Sequence, residues 1–334
     1  MISYAQNFED VMLARCFAGR TNGFYVDVGA AHPITDSVTN HFYIHGWRGI
    51  NIEPVTTYFN LLVQERPEDI NLKIAIDDKE GEADFFELTG TGLSTLIANE
   101  AERAMDLGFK QHMCRIKTQP LSAIFLEANI KNIDFLKVDV EGAEAAVLRS
   151  NDWSQFRPKI VLVEATRPNE PTPAWDEWEP HLLAQNYVFV WFDGLNRFYV
   201  TKEHETEFKQ HFIIPPNVFD SFQRYSEIEA RRNTDVWQQN YIDLLTRHAF
   251  ALGIKHDRKM LSQFWPSGSN RKATSDDVHH AYRFILGREG DPAGIVHWLE
   301  LTSKGKLAVG DIIKNFTDSP EYLQKREQLL KHAS

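Results

Sequence analysis

The apolar run Phe24-Tyr25-Val26-Asp27-Val28 breaks on Gly29-Ala30-Ala31-His32-Pro33, and a second run, Gly49-Ile50-Asn51-Ile52, ends on Glu53. A strand that stops at a glycine lets the backbone approach a ligand closely. A carboxylate closing the next strand can accept both hydroxyls of a ribose. The second and third glycines that would admit a pyrophosphate are missing, because Ala30, Ala31 and His32 follow Gly29. The pattern therefore favours a cofactor with a ribose but no pyrophosphate. Close packing of a first strand is the competing explanation for the glycine.

S-adenosylmethionine is such a cofactor, and Asp27, Gly29, Ala30 and Glu53 are assigned to its contact. Asp77, with Asp78, follows the third apolar run, where an adenine pocket would lie, or forms a plain acidic turn. Gly90-Thr91-Gly92-Leu93-Ser94-Thr95-Leu96 is a hydroxyl-rich loop that closes over a ligand or lies on the surface.

The second chemical signal is Lys137-Val138-Asp139-Val140-Glu141-Gly142-Ala143-Glu144. Acids at the carboxyl end of a parallel strand face the crevice where ligands bind. Asp139 is placed to orient a methylsulfonium or a substrate hydroxyl, and Glu141 to take a proton. Glu144 doubles as a first-turn helix acid. Three acids together also supply oxygen ligands for a divalent cation, so a metal is left open, though not expected. His32 is a further candidate base or a hydrogen-bonded structural histidine. Glu164 closes another strand on the same side and joins the catalytic candidates.

Trp175, Trp178 and Glu179 are read on one helix, with Trp191, Asp193, Asn196, Arg197 and Tyr199 in a following hairpin. Flat aromatics beside amides, acids and an arginine suit a sugar. Trp178, Asp193, Asn196 and Arg197 are taken as substrate contacts, with core packing the alternative for the tryptophans.

The elements that must position these groups follow from periodicity. Phe24–Val28, Gly49–Glu53, Asn71–Ile76, Ile133–Asp139 and Lys159–Ala165 are continuous apolar runs, as expected for strands covered on both faces. Asp84–Leu88 reads as an inserted strand. Val55–Glu65, Gly142–Ser150 and Trp175–Gln185 read as helices, the first following Pro54. Tyr187–Phe192 and Arg197–Thr201 flank Asp193-Gly194, a hairpin signal. The fold class is α/β: a class I methyltransferase-like (Rossmann-like), mostly parallel sheet with an antiparallel terminal hairpin. An all-helical C-terminal domain follows. The expected divisions are residues 1–220, a helical connector at 221–270 with Trp237, Tyr241, Leu244 and Leu245 on one face, and 271–334. Phe264–Asn270 reads as a linker, and Ser275-Asp276-Asp277 and Ser319-Pro320-Glu321 as helix starts.

The 334 residues carry 36 Lys and Arg against 47 Asp and Glu, a net charge of -11. That balance argues against a nucleic-acid partner, which needs a basic face, and against docking on anionic lipid. No apolar run reaches membrane-spanning length. Glu9 and Asp10 lie where a signal peptide would be basic. Cys16 and Cys114 are too few for a disulfide framework or a cysteine zinc site. The expectation is a reduced, cytoplasmic protein without membrane insertion; a homodimer is left open.

Several of these motifs, in order, resemble the FkbM family of S-adenosylmethionine-dependent O-methyltransferases over roughly Ser3 to Asp220. They are the early Ser-x-x-Gln-x-x-Glu-Asp, Asp27–Ala31, Gly49–Pro54, Gly92–Leu96 and, above all, Ile133–Glu144. The resemblance implies methyl transfer to a hydroxyl, usually on a sugar or natural product. By position it implies that Gln6, Asp10, Gly29, Glu53 and Ser94 serve the cofactor, with Asp139 at its methyl end. His32-Pro33 stands where relatives often carry an Asp, which leaves the base open. The last sixty or so residues resemble a small helical domain of unknown function appended to bacterial glycan and surface proteins. The matching run is Ala281–Arg288, then Asp291-Pro292-Ala293-Gly294, Trp298 and Ser319-Pro320-Glu321. The activity expected is O-methylation of a sugar or polysaccharide acceptor or its precursor. The alternatives are a non-catalytic glycan-binding or assembly protein, or a nicotinamide-dependent sugar oxidoreductase or epimerase.

Overall fold

Runs of Val, Ile, Phe and Tyr pair into one large sheet because each run is apolar on both faces. Val26, Val28, Leu136, Val138, Val161 and Val163 pack on one side. Tyr25, Phe135, Ile160 and Leu162 alternate with them and pack on the other, against Met12, Leu13 and Phe42. Full burial of such side chains contributes roughly 1.5–3 kcal/mol each.

The computed structural model describes residues 1–88, 91–168, 170–232, 271–303 and 307–331. In chain order the first elements are β1 (Ile2–Ser3), α1 (Glu9–Cys16), β2 (Phe24–Val28), α2 (Asn40–Ile44), β3 (Arg48–Ile52), α3 (Thr56–Glu65) and β4 (Ile70–Leu72). Then come β5 (Ala75–Ile76), β6 (Gly81–Leu88), α4 (Ala98–Asp106), β7 (Gln111–Gln119), α5 (Leu121–Glu127), β8 (Phe135–Val138) and α6 (Glu144–Arg149). The remainder of this unit is β9 (Ile160–Glu164), α7 (Glu179–Ala184), β10 (Tyr187–Phe192), β11 (Asn196–Thr201), α8 (Glu205–Phe208) and β12 (Gln223–Arg224).

The large sheet runs β10-β11-β9-β8-β2-β3-β4. Its five strands from β9 to β4 are parallel, and β11 is antiparallel to both neighbours. This is a mostly parallel α/β sheet with a reversed strand in its terminal hairpin. Gly49 is required in β3, since a Cβ there would lie 2.3 Å from the Tyr25 ring.

Helices α2, α4 and α5 are not foreseen, and three other elements differ from the sequence reading. The run Asn71–Ile76 is two strands: β4 pairs with β3, whereas β5 leaves to join a small sheet ordered β5-β7-β6. Strand β7 escapes periodicity because its sequence has no clean apolar alternation, with Met113, Arg115 and Lys117 all exposed, and it is held by pairing along all of β6. The helix expected from Trp175 begins only at Glu179, so Trp175 and Trp178 precede it.

The chain divides into two compact units, Met1–Glu227 and Ile228–Ser334. In the second, the described helices are α9 (Ser275–Leu286), α10 (Pro292–Ser303), α11 (Val309–Thr317) and α12 (Pro320–Lys331). They enclose Val278, Ala281, Ile285, Val309, Ile312 and Phe316. Thr274 and Asp277 form a capping box at the start of α9, and Gly287 ends it in the left-handed region. Trp237, Tyr241, Leu244, Leu245 and the linker at 264–270 lie outside the described residues. No helix among the described residues is long and apolar enough to cross a membrane.

Candidate active site

Chain order reverses between β2 and β8: β2 leads to β3 on one side and β8 to β9 on the other. Ligands of open α/β sheets bind at this kind of switch point, beyond the carboxyl ends of the strands. A cavity of about 710 Å³ lies there. Gly29 forms its floor with φ 76°, and a Cβ at this position would stand 1.7 Å from the Asp139 carbonyl oxygen. Only glycine lets the β2 turn and the end of β8 approach this closely.

Glu53 closes β3 and lines the cavity, almost fully buried. Its Oε2 accepts the Ala31 N–H at 2.8 Å and its Oε1 the Val55 N–H at 2.7 Å. Burial pushes its pKa up to about 7, against the pull of those two amides. Each oxygen keeps a lone pair for a further donor.

The carboxylates converge from two neighbouring strands. Glu141 (φ 54°) and Gly142 (φ 100°) reverse the chain after β8, and Thr95 Oγ1 fixes the turn by donating to the Glu141 carbonyl at 2.7 Å. Asp139, Glu141 and Glu164 each bring an oxygen within 4.8 Å of the others. Glu141 Oε2 and Glu164 Oε2 are buried without a hydrogen-bond partner. Burial first, then the charge of Asp139 and the adjacent acids, raises the pKa of Glu141 and of Glu164 well above the usual carboxylate range. Glu144 is not part of this group. Its Oε1 accepts the Val140 and Gly142 N–H groups, so it braces the turn from behind.

Lys137 supplies the compensating charge. Its Nζ donates to the Gly29 carbonyl at 2.7 Å and lies 3.3 Å from both Asp27 Oδ1 and Asp139 Oδ2. Burial pulls its pKa down, but Asp139 and Asp27 outweigh that and hold it above the usual lysine value. The sequence reading gave Lys137 no role. The available signal was one lysine inside an otherwise apolar strand, which burial permits only with charged partners.

His32 lines the cavity, but its Nδ1 accepts the Ile34 and Thr35 N–H groups at 3.1 and 3.0 Å. In the neutral ring the proton then sits on Nε2, and neither nitrogen has a lone pair free to take another. Burial, with Arg66 nearby, also lowers its pKa. This geometry argues against His32 as the base.

Gln6, Gly29, Ala30, His32, Glu53, Ser94, Asp139, Glu141 and Glu164 line the one cavity. Asp10, Asp27 and Asp77, also expected at the cofactor, do not line it. Asp10 is fully buried and gathers Ser3 Oγ and the Tyr4 and Ala5 N–H groups, because a buried carboxylate needs donors. Asp27 faces Lys137 and Thr39, whose hydroxyl in turn accepts from buried Arg66. Asp77 accepts the adjacent Asp78 N–H.

The four expected sugar contacts also lie outside the cavity wall. Trp178 is core, packed edge-on to Tyr199. Asp193 caps its own hairpin turn through the Leu195 and Asn196 N–H groups, and Asn196 donates to Glu9. Arg197 pairs with Glu179 and stacks on Trp175 and Phe189. The hairpin brings Gly194 and Leu195 to the cavity instead.

Residues 27–189 match the family model described as the methyltransferase FkbM domain. The crystal structure of methyltransferase FkbM from Methylobacillus flagellatus KT is similar at 14% identity and a TM-score of 0.37. That match covers 57% of this chain and 47% of the other, so the chain spans about half the length of that relative. No curated protein matches the chain.

Proposed function

From the premise that residues 27–189 are a methyltransferase FkbM domain, we propose that the chain is an S-adenosylmethionine-dependent O-methyltransferase. Its acceptor is a sugar hydroxyl of a bacterial glycan, polysaccharide or precursor, and it works in the cytoplasm. The observation that carries the cofactor reading is the convergence of Gly29, Glu53 and the Asp139-Glu141-Glu164 group on one cavity. Support for a sugar acceptor comes from the two sequence resemblances; the terminal hairpin adds none.

The residues suit this cofactor. A cavity of about 710 Å³ is within the range of small-ligand sites. Glu53 accepts ribose hydroxyls at its remaining lone pairs, and Tyr58, Ile76 and Phe85 offer an apolar wall for a flat base. The carboxylates suit a cationic sulfur. S-adenosylmethionine supplies, when bound, a methyl whose C–S bond breaks as the acceptor oxygen–carbon bond forms, the electron pair staying on sulfur.

The chain's own task is alignment and proton removal. Fixing the acceptor hydroxyl in line contributes several kcal/mol, up to about 7–11 in the best-oriented systems. A carboxylate of Glu141 or Glu164, made more basic by burial, takes the hydroxyl proton. Calorimetric titration of the full chain with S-adenosylhomocysteine tests the reading. Micromolar binding is expected; no detectable binding overturns it.

A further inference from the structure

We propose that Asp139, Glu141 and Glu164 hold a hard divalent cation in the cavity, with its open coordination positions facing the acceptor. The three carboxylates come from the ends of β8 and β9 and the turn after β8, so rigid strands rather than a surface loop bring them together. Their nearest oxygens lie within 4.8 Å of one another. Oxygens on opposite sides of a calcium-sized ion stand about 5 Å apart, and magnesium draws them slightly closer. An all-oxygen set selects Mg²⁺, Mn²⁺ or Ca²⁺ over softer metals.

A second observation points to a ligand. Glu141 lines the cavity and is only 8% exposed, yet its buried Oε2 has no hydrogen-bond partner. Glu164 Oε2 is also buried and unpartnered. An acid that only braces the fold would find donors, as Glu144 does three residues along the chain. Charge compensation is incomplete as well. Lys137 touches only Asp139 of the three, reaches Glu141 through its field alone, and is shared with Asp27. A divalent ion satisfies both the orphaned oxygens and the surplus charge.

An ion there fixes and polarises an acceptor oxygen and makes its hydroxyl more acidic, so with the ion bound it takes over the task that the metal-free site gives to Glu141 or Glu164. Its role in the reaction rests on the methyl-transfer reading; its binding does not. The test uses the full chain, stripped with a chelator and titrated separately with Mg²⁺, Mn²⁺ and Ca²⁺ by calorimetry, with thermal melting in parallel. One ion per chain and a raised melting temperature are expected. Glu164→Gln and Glu141→Gln should each weaken binding by more than about tenfold, whereas Asp77→Asn, outside the cavity, should bind as the parent does. If Glu141→Gln does not fold, Glu164→Gln decides. No binding of any of the three ions overturns the proposal, as does parental affinity in the folded glutamine variants. Ion binding without S-adenosylhomocysteine binding supports the site while overturning the methyltransferase reading; the converse overturns the site alone.

Discussion

The Lys137 ammonium lies 3.3 Å from the Asp139 carboxylate, at the base of the cavity, while its other contacts reach Asp27 and the Gly29 carbonyl. One side chain thus joins the β2 turn, the β2 interior and the acid at the end of β8. Both charges of this pair are set by strand register, since Asp27 stands beside Lys137 in the β2–β8 ladder.

Removing that ammonium leaves Asp27 buried beside an uncompensated neighbour. Lys137→Met should cost about 3–5 kcal/mol, the usual penalty for breaking a buried pair from one side. Urea denaturation at neutral pH measures it. A loss below about 1 kcal/mol would show that Lys137 is not what neutralises Asp27.

Glu53 offers a pH signature for cofactor binding. Burial raises its pKa to about 7, and only the charged form is purely an acceptor for ribose hydroxyls. Affinity for S-adenosylhomocysteine should climb as pH rises through 7 and level off above it. Glu53→Gln should bind more weakly, by roughly tenfold, and lose that slope. A parental profile already flat between pH 6 and 8 would count against the ribose role.

Glu9 affects stability in the opposite pH sense. It is buried, accepts from Asn7 and Asn196, and burial with Asp193 nearby pushes its pKa up to about 8. A carboxyl that binds its proton more tightly in the fold than at its ordinary value of 4.5 favours folding at low pH. That contribution is complete below 4.5 and is lost as pH climbs to about 8. Glu9→Gln should therefore narrow the difference in unfolding free energy, measured by urea denaturation, between pH 5 and 8.5 by an amount on the order of 2–4 kcal/mol. An unchanged gap would place the titration elsewhere.

Arg197 holds the end of the sheet together. Its Nη2 lies 2.5 Å from Glu179 Oε1, and the guanidinium stacks 4.4 Å from the Trp175 ring centre and 3.9 Å from that of Phe189. Arg197→Ala should cost about 1–3 kcal/mol in stability through lost stacking and an orphaned Glu179. Affinity for S-adenosylhomocysteine should stay at the parental value. A weakened cofactor with unchanged stability would reverse this assignment.

Local sequence determined the strands around the site and the Gly29 turn. Apolar continuity marks elements buried on two faces, and a glycine after Val28 followed by a strand ending on Glu53 is a pattern of adjacent residues. Periodicity likewise exposed the antiparallel hairpin through Asp193-Gly194. It could not find β7, whose exposed side chains mix Met113 with Arg115 and Lys117, nor the break at Lys73-Ile74, which depends on a partner strand far along the chain.

Which acids share a site was decided only in three dimensions. Asp139, Glu141 and Glu144 are neighbours in sequence, yet the left-handed turn at Glu141 and Gly142 sends Glu144 back onto local amides. Glu164 takes its place because β9 pairs beside β8. Burial made the same choice for Asp10, Asp27 and Arg197: a charge withdrawn from water bonds to whatever the fold brings near it. Spacing along a chain fixes neighbours within one element, and strand pairing fixes neighbours between elements.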